Sequence, residues 1–244
     1  MEKNLENQNQ WKTIYLLGGI AAFIVFGLTL SDIIIGSMTG VDLTQLPQTA
    51  IERFEEFQKS WLIGLYHLDM LNVIISAAMI PVFFALSTIH REIKPATSSL
   101  ALILFLVATT IFITTNTALP MLHLSEKYYS TTSETQRNLY ASAGEALLVR
   151  GEHGSPGVFI GFFLLTISNL FISFVMLNGK IFKRIAGYLG IIGSIFLLMY
   201  IFLVTFFPST KSIAVIIVAP GGILVLAWYL LLAIKLVKIG LEKN

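Results

Sequence analysis

The sequence predicts an all-α integral membrane protein, a six-helix bundle, and three observations predict it. Sixteen basic and fourteen acidic residues make only 12% of the 244 charged, against 55% hydrophobic and a mean hydropathy of +0.79. A soluble domain carries about twice that share of charge. The apolar residues gather in six runs, at about 14–38, 61–89, 97–122, 156–178, 185–207 and 212–234, and roughly 20 helical residues cover a hydrocarbon core of about 30 Å. The connectors between the runs alternate between basic and acidic. Lipid offers no partner to a backbone N–H or C=O, so each run must pair its own backbone as a helix. A soluble, disordered or collagen-like chain is excluded, and residues 1–244 are expected to form one transmembrane domain.

Taken in order, the run from Ile14 to Met38 is longer than the apolar stretch of a signal peptide, contains Asp32 and lacks a small-x-small cleavage site. It is therefore expected to be retained as a span. Thr49-x-x-Glu52 is a capping-box pattern, followed at helical spacing by Ile51, Phe54, Phe57 and Trp61, with Glu52, Glu55 and Glu56 off that stripe. This predicts an amphipathic helix over 49–59 on the outer membrane surface, leading into the second run. Ser133-x-x-Gln136 opens a second outer-surface helix to about Leu148, with Leu139, Ala143, Ala146 and Leu147 on one face. The two surface helices either tidy loop backbone or form a lid. In the fifth run, Ala186-x3-Gly190-x3-Ser194 is a small-residue stripe suited to close helix packing. Trp11, Trp61, Lys235 and Lys238 fall where interface anchors belong.

The connectors set the orientation. The N-terminus, His90–Lys94, Asn178–Arg184 and the C-terminus together hold ten basic and four acidic residues. The other side holds six basic and eight acidic ones. Excess Lys and Arg mark the cytoplasmic side, which places both termini in the cytoplasm.

Polar side chains inside the spans are costly, so their placement is informative. At about 1.5 Å per residue, Asp32 lies about 9 Å and Asp69 about 12 Å from the outer ends of their runs; Asn116 lies about 9–10 Å down, and Pro220-Gly221-Gly222 begins about 12 Å down. Four helices thus contribute polar features to one level. Asp69, Asn72 and Ser76 share a helical face, as do Thr109, Asn116, Pro120 and His123, and Thr166, Asn169 and Ser173. His67 falls off the Asp69 face and is not paired with it. Pro120 and Pro220 cannot donate to the carbonyls of Asn116 and Ile216, which either marks a binding site between broken helices or a plain kink.

The chain has no cysteine, which removes disulfides, thiolate chemistry and zinc–thiolate sites. No HExxH, GxSxG, Walker loop, GxGxxG or selectivity-filter pattern is present. His123 and His153 are the weak candidates for a metal, which would need ligands from separate segments. No cofactor and no nucleic-acid partner are expected.

The run from Leu68 to about Gly154 resembles the bacterial membrane-protein family catalogued as domain-of-unknown-function family 4386. The resemblance is carried by Leu68-Asp69-x-Leu71-Asn72, Asn116-Thr117-Ala118, Met121-Leu122-x-Leu124-Ser125, Tyr128 and, most strongly, Ala143-Gly144-Glu145-Ala146-Leu147-Leu148. It implies a multi-spanning protein of the bacterial plasma (inner) membrane. With Asp32, Asp69, Asn72, Asn116 and Glu145 as candidate ligand-binding residues, the leading expectation is non-enzymatic: an outward-facing polar cavity for a small polar, cationic or lipid-headgroup ligand. The alternatives are a metal-dependent lipid hydrolase built on His123, His153, Glu145 and Asp69, and a structural or assembly subunit whose polar stripes only join helices.

Overall fold

The computed structural model of the chain describes residues 2–39, 47–151 and 154–242. Their regular structure is entirely helical. In order come α1 (Glu2–Thr39), α2 (Ala50–Lys59), α3 (Trp61–His67), α4 (Met70–Ala78), α5 (Ile80–His90), α6 (Pro95–Thr115), α7 (Ala118–Ser130), α8 (Glu134–Gly151), α9 (Pro156–Asn178), α10 (Arg184–Phe206) and, after a 3-10 turn at Pro208–Thr210, α11 (Lys211–Leu241). Among the described residues six stretches are long and apolar enough to cross a membrane: Trp11–Gly36, Met70–His90, Pro95–Ser130, Glu134–Asn178, Arg184–Phe206 and Ile213–Leu241. The protein is an integral, multi-pass membrane protein.

Two of the expected runs are interrupted, each for a local reason. The run 61–89 folds as α3, α4 and α5, and its membrane-crossing part begins at Met70. The run 97–122 stops at Thr115 and restarts at Ala118. Pro120 has no N–H for the Asn116 carbonyl, so an unbroken helix would lose a bond there. As the third residue of α7 it costs nothing, because the first N–H groups of a helix have no intrahelical acceptor.

The spans close into a ring in chain order. α1 packs on α11, α11 on α10, α10 on α9, α9 on α6, α6 on α5, and α4 and α5 return to α1. Gly19 lies against Val237 and Gly240 against Leu16, so both chain ends emerge at the same end of the ring. From mid-ring to that end the interior holds the main apolar cluster, with Val25, Phe83, Phe105, Met176, Trp228 and Leu236 in it and the Phe83 and Phe105 rings stacked at 3.9 Å. Lipid tails are as apolar as leucine, so dispersion and interhelical hydrogen bonds hold such a ring together. The Ser168 hydroxyl, for instance, donates to the Ala101 carbonyl at 2.6 Å and joins α9 to α6. At the same end the Arg91 guanidinium sits 4.4 Å over the Trp11 ring.

At the opposite end, α2, α3, α7 and α8 form a lobe with its own core of Ala50, Phe54, Phe57, Leu68, Ala118, Met121 and Leu148. The capping box of α2 is complete: the Glu52 N–H donates to the Thr49 hydroxyl, and the Glu52 carboxylate takes the Thr49 N–H. The buried faces match the expected ones only in part. α2 buries Ala50, Arg53, Phe54 and Phe57 while Ile51 and Trp61 stay exposed. α8 buries Gly144, Leu148 and Gly151 and leaves Leu139, Ala143 and Ala146 exposed. On α8 the partner helix docks where the side chains are smallest, and that side carries Gly144.

Candidate functional site

The interruption between α3 and α4 is made by Asp69, whose φ of 61° and ψ of 22° put it in the left-handed region. It is the one non-glycine residue with positive φ among those described. Aspartate is among the few residues that visit this region, because its short polar side chain bonds locally. Here the Asn72 side-chain amide donates to the Asp69 carboxylate at 3.0 Å, and Asp69 is only 7% exposed.

The second interruption lies beside the first. Asn116, at the end of α6, donates from its side-chain amide to the Leu68 carbonyl at 2.7 Å and accepts the Ala118 N–H at 3.1 Å. One carboxamide therefore satisfies a carbonyl freed at the α3–α4 break and an N–H freed at the α6–α7 break. Backbone opened at this depth must be bonded by protein, and these bonds tie both breaks to one level.

α1 reaches that level through Asp32. The Tyr66 hydroxyl donates to the Asp32 main-chain carbonyl at 3.2 Å. Both Asp32 and Asp69 act electrostatically on Tyr66 and on Tyr200 of α10. The structure thus gathers Asp32, Asp69 and Asn72 around two tyrosines that the sequence reading did not single out. A signal was there for each. Tyr66 is three residues before Asp69 and so near its face, and Tyr200 sits about 9 Å from the end of α10, the depth already assigned to Asp32.

Glu145 has a different place. It is exposed on α8, and its carboxylate accepts the Ala50 N–H at 2.7 Å, at the first turn of α2. A Cβ on Gly144 would stand 2.6 Å from that of Ala50 and 2.9 Å from the Phe54 ring, so the missing side chain admits α2. The Ala143–Leu148 motif is therefore a docking seat: Gly144 makes room, Glu145 caps, and Leu148 fills the lobe core. Arg150, on the same helix, donates to the Thr114 carbonyl at the end of α6 at 2.9 Å.

The histidines do not gather. His123 is exposed, its ring 3.8 Å from Glu126, and His153 lies outside the described residues. Among the described residues no three His, Asp or Glu side chains form a group able to hold a metal. His67 turns from Asp69, as its angular position required, and meets Glu56 at 2.6 Å, while Glu56 also takes the buried Arg53 at 3.3 Å. Burial alone would raise the Glu56 carboxyl, but the hydrogen bond and charge of His67, with the Arg53 charge, carry it below its ordinary value. This group, whose Glu56 the sequence placed only off the apolar stripe of α2, was missed. Pro220 and Ile216 both lie on the exposed perimeter of an unbroken α11.

Two carboxylates, two phenol hydroxyls with their rings, and carboxamides from a neighbouring break are groups that hold a cation or an ammonium head. They include no thiol, and no histidine among the described residues joins them. Comparison with known proteins finds no matching curated protein and no matching solved structure. A family model does match, over residues 13–235, under the description "Domain of unknown function (DUF4386)". With nearly the whole chain covered, and six apolar helices in keeping with the family's membrane character, the protein belongs to the DUF4386 family.

Proposed function

We propose that the protein binds a small organic cation carrying an ammonium group, at the level where the helix breaks meet. The reading rests on one observation: the Tyr66 hydroxyl ties Asp32 of α1 to the α3–α4 break, where the buried carboxylate of Asp69 is held by Asn72. Carboxylates supply the charge for an ammonium ion, and aromatic rings add cation–π attraction, strongest where water is excluded. The site is read as opening outward in a bacterial plasma membrane, with sensing or carriage as its use.

The test is thermal unfolding of the purified protein in nanodiscs, titrated with tetramethylammonium, choline or a primary amine. A ligand that binds only the folded protein adds about 2.7 kcal/mol at a hundred times its Kd, so the midpoint rises saturably. Asp69→Asn keeps a residue that tolerates the left-handed turn, so it should fold normally and lose the rise; Tyr200→Phe should weaken it. Nanodiscs of phosphatidylcholine and of phosphatidylglycerol separate a lipid headgroup from a free amine, since only the former blunts the titration. If none of these amines moves the midpoint in either lipid, the reading fails. A structural role then takes its place, favoured by the Asn116 bond to the Leu68 carbonyl.

A further inference from the structure

We propose that the junction of α9, α10 and α11 is a hydration site inside the membrane, where Trp228, Ser173, Ser194 and Asn169 hold water. The inference is independent of the aspartates. Trp228 Nε1, Ser173 Oγ, Ser194 Oγ and Asn169 Oδ1 are buried with no hydrogen-bond partner among the described residues. Trp228 and Ser173 are 0% exposed and Ser194 is 1% exposed. Two features bring them together. A Cβ on Gly190 would strike the Ser173 hydroxyl and stand 3.0 Å from Trp228 Nε1, so both atoms converge on the bare backbone of α10. Gly187 faces Leu177 and the Ser173 carbonyl, which fixes the antiparallel register of α9 and α10. In that register Ser194, one turn beyond Gly190, comes level with Asn169, one turn before Ser173.

The chemistry selects the occupant. An indole N–H can only donate, an amide oxygen only accepts, and a hydroxyl does both. None of the four carries a charge, so a neutral ligand suits them. Water offers two donors and two acceptor positions, and buried waters usually make about three hydrogen bonds. Hydrocarbon, the alternative neighbour, would leave the indole N–H and the amide oxygen orphaned even if the two hydroxyls turned back to carbonyls of their own helices.

The sign of a stability change tests this. An orphaned hydroxyl destabilises, so deleting it would raise the unfolding midpoint. A hydroxyl that helps hold a water does the reverse, because its loss leaves the indole and amide short of a partner. In nanodiscs, Ser173→Ala and Ser194→Ala should each lower the midpoint by about 2–4 °C, and Ser173→Ala combined with Trp228→Phe should cost less than the two singly. The second readout is the indole Nε1–H of Trp228, assigned among the three tryptophans by Trp228→Phe. It should give an NMR cross-peak to water. An absent cross-peak, or a midpoint that holds or rises in the serine variants, overturns the proposal.

Discussion

Glu56 shows what a single residue does in the lobe. Its carboxylate binds both His67 and Arg53, and Arg53 is 0% exposed. Removing one partner of a buried pair leaves the other uncompensated, typically at 3–5 kcal/mol. Glu56 keeps some exposure, so Glu56→Gln should cost about 3 kcal/mol, a fall of roughly 6–12 °C in midpoint by circular dichroism. The pH dependence follows from its lowered pKa. A carboxyl titrating lower when folded stabilises above its unfolded value of 4.5, and that stability is lost as pH falls further, through the folded value. Wild-type protein should therefore hold its midpoint from pH 7 to about 5 and lose it below, as the glutamate protonates. The Gln variant should start lower and show a shallower acid limb. Equal midpoints at pH 7 would show that Glu56 does not hold Arg53 in place.

At the scale of the element, what could be read from the sequence depended on whether the signal was local. The Thr49–Glu52 box is complete within four residues, so α2 starts where expected. The α6–α7 break was half legible, because Pro120 announces a lost bond but not whether the helix kinks or restarts. The α3–α4 break was not legible, since it depends on an aspartate in a glycine-like conformation with no Gly or Pro beside it. The stripe on α2 found Phe54 and Phe57 but not Arg53, and that on α8 missed Gly144 and Leu148, because periodicity finds an apolar stripe whereas the neighbouring helix decides which side is covered. Glu145 follows the same logic: its spacing placed it on a helix, and only the fold brings α2 to it. Glu145→Ala should cost about 1 kcal/mol, the usual value of a lost helix cap. Gly144→Val should do more, driving a side chain into Ala50 and Phe54. In both variants tryptic cleavage after Lys59 should speed up as α2 loosens, with the larger effect at Gly144. Unchanged cleavage in both would mean that α2 is held by its own contacts with α7.

For the whole molecule, the ring gathers the basic connectors at one end. Sequential antiparallel spans bring the connectors His90–Lys94 and Asn178–Arg184 to the end where α1 starts and α11 finishes. Together with the two terminal segments, these connectors hold ten basic residues against four acidic ones. The lobe and the aspartate level lie toward the other end. Translocating a basic connector against the membrane potential and the anionic leaflet is unfavourable, which predicts that these connectors stay inside. The absence of cysteine makes the test clean. Lys180→Cys, exposed in the connector after α9, and Asn138→Cys, exposed on α8, provide one reporter for each end. A membrane-impermeant maleimide applied to intact cells should label Asn138→Cys and spare Lys180→Cys; inverted vesicles should give the opposite. If the cells gave the inverted pattern, the polar level would face the cytoplasm, and any cation it binds would come from metabolism inside the cell. Labelling of both sites from one side would break the antiparallel ring itself, since a chain of six spans with its connectors alternating between ends cannot present both together.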